Sequence, residues 1–124
     1  MIYMPIDRDV KEVEGQIRRS DIFNPRYDKI LLTESFVLPE VTVRTILKEQ
    51  PDVILVGFDL GSPLFNGADI IKIIYDYCSS AYIIVNSEDD VRYFSGEEIR
   101  RLIDGFAGRD SQKLSEIIRG LLHH

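Results

Sequence analysis

The chain has 124 residues, 15 basic and 21 acidic side chains, a formal charge of −6, and 44% hydrophobic against 29% charged residues. That length and mix fit one folded domain with a real core and argue against disorder. The acidity argues against direct contact with nucleic acid, and no apolar run approaches the ~20 residues of a membrane span.

Element types alternate along the chain. "MIYMPI" reads as a short strand, although Pro5 cannot donate to a ladder, so an interior first strand is expected to be short or shifted. "DVKEVEGQIRR" places Val10, Val13 and Ile17 on one helical face. "FNPRYD" is a turn cluster and "KILLTE" a strand. "LPEVTVRTILKEQ" reads as a helix with Pro39 in its first turn and Val43, Ile46 and Leu47 facing inward. "DVILVGF" is apolar on both faces, as a central parallel strand must be when helices cover both sides. "GADIIKIIYDYC" gathers Ile70, Ile71, Ile74 and Tyr77 on one face, and "AYIIVN" is another doubly buried strand. "SGEEIRRLID" opens a helix with Ser95 as N-cap and Glu98 three residues later. "GFAGR" is a short strand. "SQKLSEIIRGLL" is amphipathic through Leu114, Ile117, Ile118, Leu121 and Leu122.

Five strands alternating with five helices predict an α/β fold: a flavodoxin-like (βα)5 three-layer sandwich over residues 1–124, with a parallel sheet in order 2-1-3-4-5. A lone cysteine, Cys78, allows no internal disulfide and fits a reducing compartment. No basic leader precedes the first strand. A cytoplasmic location is therefore expected.

In such sheets sites lie beyond the carboxyl ends of the strands. Asp7, Glu34, Gly57, Asp59, Asn86, Ser87 and Arg109 fall there. The histidines are terminal, and no Ser-His-Asp or His-Cys set, Walker-type loop or GxGxxG is present, so an enzyme is not expected.

At those strand ends the chain resembles the receiver domain of two-component response regulators. "PDVILVGFDL" looks like the lead into the family's third strand. "IIVNS" looks like its fourth strand, ending in the switch hydroxyl at Ser87. "IDGFAGRD" looks like its Asp-Gly-aromatic-x-x-Lys-Asp, with Phe106 at the switch aromatic and Arg109 in place of Lys. The resemblance implies an aspartate that takes a phosphoryl group from a histidine kinase, acids that hold Mg²⁺, and a hydroxyl and a cation on the phosphoryl oxygens.

Two registers are open for the acceptor. Counted from Pro51-Asp52, the acceptor position falls on Gly57 and the acid is lost. Counted back from Pro63 and Gly67, it falls on Asp59. Asp59 is the phospho-acceptor candidate, and Asp7 and Asp59 are the metal candidates. Arg8 stands beside Asp7 where the family has a second acid and would repel Mg²⁺. Arg109 is a planar fork rather than a compact ammonium. Acids crowded without metal are expected to raise a carboxyl pKa. Asp7 and Asp59 also have simpler roles open to them, as a helix N-cap and an Asx turn.

These departures lead to an expected atypical receiver that acts by protein–protein association, most simply as a homodimer through helix 4, strand 5 and helix 5. Glu97, Glu98, Arg100 and Arg101, with Asp89, Asp90 and Arg92, would pair across a two-fold axis. One alternative is a phosphorylation-competent receiver using Asp59 with Mg²⁺. Another is a flavodoxin-like module for a flavin or corrin, using "LGSPLFNG" and "NSEDD".

Overall fold

The sheet is built from the runs that are apolar on both faces. The computed structural model describes residues 1–32, 38–77, 80–87 and 96–123. Chain order is β1 (Ile2–Ile6), α1 (Val10–Arg19), β2 (Lys29–Ile30), α2 (Pro39–Glu49), β3 (Val53–Val56), α3 (Gly67–Tyr77), β4 (Tyr82–Val85), α4 (Glu97–Arg100), β5 (Gly105–Phe106) and α5 (Ser111–Leu122). All strand pairs are parallel, in the order β2-β1-β3-β4-β5. This is the expected flavodoxin-like arrangement, with its switch point between β1 and β3.

Side chains alternate across the sheet because the strand period is two. Met4, Ile6, Ile54, Val56, Ile83 and Val85 face Ile46 of α2, Ile70, Ile71 and Ile74 of α3 and Ile99 of α4. Tyr3, Val53, Leu55 and Ile84 face Val13 and Ile17 of α1 and Leu114 and Ile118 of α5. All four residues of β3 are fully buried. The α1–α5 contact has a polar seam as well, where the Ser20 and Ser115 hydroxyls meet at 2.7 Å.

Several inward positions differ from the sequence pattern. In α2, Thr42 is buried and Leu47 is exposed, which turns the buried face by a residue. The Thr42 hydroxyl stays satisfied by donating to the Leu38 carbonyl at 3.1 Å. Tyr77 is exposed at the end of α3, as is Leu122 at the end of α5. Gly96 caps α4, which is only four residues long. Glu34, Cys78, Asp89, Asp90, Arg92, Ser95 and His124 lie outside the described residues.

Strand β1 runs its full five residues despite Pro5. The Ile2 and Ile6 carbonyls accept from Asp52 and Gly57 on the β3 side, whereas Tyr3 accepts from Leu31 on the β2 side. Pro5 shares the Tyr3 side by alternation. Its missing N–H therefore ends the β2 ladder and leaves the β3 ladder intact, which explains why β2 pairs through only Lys29 and Ile30.

Candidate functional site

Four loops meet at the carboxyl ends of β1, β3, β4 and β5 around a cleft of about 220 Å³. Asp7, Gly57, Asp59, Ser87 and Arg109 all line it. The structure thus brings most of the strand-end residues together, but it pairs them in a particular way.

Asp7 follows β1 directly and is 3% exposed. Arg109 Nη2 donates to both of its carboxylate oxygens at 3.1 Å. The Asp9 amide donates to Asp7 Oδ1 at 2.8 Å. Asp9, not Asp7, is the N-cap of α1, accepting from the Glu12 amide. Arg109 reaches Asp7 from the loop after β5, which turns at Gly108 with φ +59° and hands over to Asp110, the N-cap of α5. On its other side Arg109 Nε lies 3.9 Å from Glu12 Oε1. The remaining nitrogen, Nη1, is buried with no hydrogen-bond partner among the described residues.

Gly57 is the residue after β3, held by its amide to the Ile6 carbonyl at 2.9 Å. A Cβ built on Gly57 would overlap the Asp7 carboxylate. Asp7 therefore fills the space into which a side chain at 57 would project. Gly67 closes the same corner, because a Cβ there would overlap the Gly57 carbonyl as α3 begins.

Asp59 lies two residues further on and bonds to partners other than those of Asp7. Its carboxylate accepts from the Gly61 amide at 2.9 Å and from Arg8 Nη1 at 2.9 Å. This is an Asx turn, completed by Gly61 at φ +76°, with a surface ion pair added. Both bonds, the Gly61 amide first and Arg8 second, hold the Asp59 carboxyl below its usual range. The crowding expected to raise a carboxyl pKa is thus reversed at Asp59, because its near neighbours are donors. Arg8 is largely exposed and turns outward to make this pair.

Ser87 is half-buried at the rim of the cleft. Phe106 is half-buried against the α2–α3–α4 side of the core, outside the cleft. Glu97, Glu98, Arg100 and Arg101 are exposed on α4 and just after it and do not line the cleft. Glu97 pairs with Arg101 at 3.4 Å and Glu98 with Lys72 of α3 at 3.6 Å.

The residues present do not fit Mg²⁺. That ion asks for near-octahedral oxygen ligands. Asp7 spends both oxygens on a guanidinium and Asp59 spends its own on Arg8 and Gly61. Among the described residues, no group of three or more His, Cys, Asp or Glu side chains is placed to hold a metal. No described helix is long and apolar enough to cross a membrane.

Asn86, one of the strand-end candidates, belongs to a buried polar pair whose other member, Gln16, was not singled out by the sequence pattern. Gln16 of α1 and Asn86 after β4 are both fully buried and bond to each other. Gln16 Nε2 also reaches the Gly108 and Asp110 carbonyls at 3.2 and 3.3 Å, on the loop that carries Arg109. Its position on the Val13–Ile17 face is the signal that could have found it.

No protein-family model matches the chain, and no curated protein matches its sequence. Solved structures match its fold. A two-component response regulator of the LuxR family from an Aurantimonas species superposes with a TM-score of 0.71, over 98% of this chain and 84% of its own, at 16% identity. The signal receiver domain of a putative Luxo repressor protein from Vibrio parahaemolyticus gives 0.69, over 98% and 88%, at 15% identity. The REC domain of AraT, a response regulator from Geobacillus stearothermophilus, gives 0.66, over 97% and 91%, at 19% identity. The chain therefore has the fold of response regulator receiver domains.

Proposed function

We propose that this chain is an atypical receiver domain, one that takes part in signalling by associating with another protein rather than by accepting a phosphoryl group. The observation that carries this reading is the ion pair between Asp7 and Arg109, lodged against Gly57. In this reading Gly57 holds the acceptor position. The buried acid at the end of β1 is committed to an arginine, and Asp59 is committed to an Asx turn.

Association is assigned to the α4–β5–α5 edge, with a second copy of the chain as its simplest partner. That face ends in a two-residue edge strand, β5, short enough to leave its outer backbone groups to a partner. It also carries exposed charges of both signs on and beside α4. Phe106 sits between that edge and the core, and Ser87 sits between the cleft and β4. A cognate histidine kinase is a partner only if Asp59 accepts phosphate. No enzymatic step is assigned to the domain.

The test is incubation of the whole chain with acetyl phosphate and Mg²⁺, followed by intact mass. The expected result is no phosphoryl adduct. Rapid, stoichiometric modification that disappears in Asp59→Asn would overturn this reading and establish Asp59 as a working acceptor.

A further inference from the structure

Arg109 stands between two acids from two different elements. Asp7, after β1, meets Nη2, and Glu12, in the first turn of α1, faces Nε. The guanidinium is only 19% exposed and Asp7 4% by side chain, so the contact is shielded from bulk water. A cation placed there ties the β1–α1 connection to the β5–α5 connection, and the Gln16 amide braces the same loop from below through Gly108 and Asp110. The overlap awaiting any Cβ at Gly57 shows that the carboxylate half of the pair fills the remaining room.

We propose that Arg109 is a built-in cation: its guanidinium holds the position in this pocket that a divalent metal ion would otherwise take, and it fixes the surrounding loops permanently. This rests on the reading above of a pocket without an acceptor, and it adds the reason why the pocket does not need metal. Arg109 is a positioning residue here. The wild-type chain is then indifferent to divalent cations. Removal of the guanidinium leaves the Asp7 and Glu12 carboxylates facing one vacated place, with hard oxygen ligands suited to Mg²⁺ or Mn²⁺.

Thermal unfolding of wild type, Arg109→Ala and Arg109→Gln, each titrated with MgCl₂, tests this, together with Mn²⁺ binding read by water-proton relaxation. Wild type is expected to keep its Tm across the titration. Both variants are expected to start lower and to rise with Mg²⁺, because a ligand that binds only the folded state stabilises it. Their affinity for Mn²⁺ is expected to exceed that of wild type by about tenfold or more, since a positive charge a few ångströms from the ion is worth at least that much even in water. Asp7→Asn added to Arg109→Ala is expected to abolish the gain. Should Arg109→Ala be unfolded alone, refolding on addition of Mg²⁺ counts in favour, and Arg109→Gln carries the comparison.

The proposal is overturned if wild type is stabilised by Mg²⁺ as strongly as the variants, or if neither variant gains affinity or stability. A wild type that takes no phosphoryl group, with variants that stay blind to Mg²⁺, would remove this inference and leave the functional reading standing. A wild type phosphorylated on Asp59 would remove the functional reading by a separate measurement.

Discussion

Gln16 and Asn86 join their side-chain amides head to tail inside the protein, with Gln16 Nε2 donating to Asn86 Oδ1 at 3.0 Å and Asn86 Nδ2 donating to Gln16 Oε1 at 2.6 Å. Neither side chain reaches solvent to any extent, so each depends on the other. Removing one leaves the other buried and short of a partner, at a cost of roughly 1–3 kcal/mol. Gln16→Ala and Asn86→Ala are each expected to lower unfolding free energy by about that amount in urea, with an added packing loss for Gln16. The double variant is expected to cost less than the sum, by about 0.5–3 kcal/mol for groups in direct contact. Additive losses would mean that the two amides do not depend on each other.

Gly57→Ala is the second case. The new methyl must displace the Asp7 carboxylate or the loop that carries it, and overpacking of this kind costs typically about 1–3 kcal/mol. The penalty is expected to shrink when Asp7→Ala is made first. Gly57→Asp is expected to destabilise in the same way and to gain no phosphoryl adduct from acetyl phosphate. A Gly57→Ala protein as stable as wild type would show that the slot is open.

The third concerns pH. The Asp59 carboxyl is held below its ordinary 3.8, so the stability it contributes is present above that value and is lost as pH falls through the lower folded-state value. Asp59 is mostly exposed, so solvent screening keeps the stability change small and the titration itself is the readout. Carboxyl-carbon NMR is expected to place the Asp59 midpoint below the ordinary value. Arg8→Ala is expected to move it up only part of the way, because the Gly61 amide is the larger cause. A full return to the ordinary value in Arg8→Ala would assign the whole effect to the ion pair.

The fourth concerns association. Sedimentation across a concentration series is expected to show growth from monomer to dimer. Reversal at Arg100 and Arg101 to Glu is expected to weaken the dimer. The internal Glu97–Arg101 pair is too weak an exposed contact to hold Arg101 against a better partner, being worth about 0.3–0.5 kcal/mol. A wild type that stays monomeric at high concentration, unchanged by the reversals, would assign this edge to a different protein.

The strands and the layer order were legible in the sequence because β3 and β4 are apolar on both faces and alternate with helical segments, as a parallel sheet covered on both sides requires. The membership of the cleft was legible too, since Asp7, Gly57, Ser87 and Arg109 each follow a strand end. What the sequence left open was which acid faces which partner. Asp59 and Gly57 are two residues apart on one loop, and their directions depend on the Asx turn at Gly61 and on the start of α3 at Gly67. The inward faces of α2 and α3 were misread at Leu47 and Tyr77 for a related reason. Helical periodicity gives a face but not its exact edges, and Thr42 takes an inward place by satisfying its hydroxyl within its own helix.

The uneven lengths of the strand ladders have a kinetic consequence. Four residue pairs join β1 to β3 and four join β3 to β4, but only two join each flanking strand to its neighbour. Amides on Leu55 and Ile84 are therefore expected to exchange with deuterium only when the whole chain opens, whereas those of Leu31 and Ala107, which donate to the Tyr3 and Val85 carbonyls, exchange through smaller, cheaper openings. The β5 edge is thus one of the two flanks of the sheet that a bound partner can change most. Protection at Ala107 that climbs with protein concentration, while Leu55 stays constant, would mark a docking event that slows the fraying of one flank and leaves the central strands as they were.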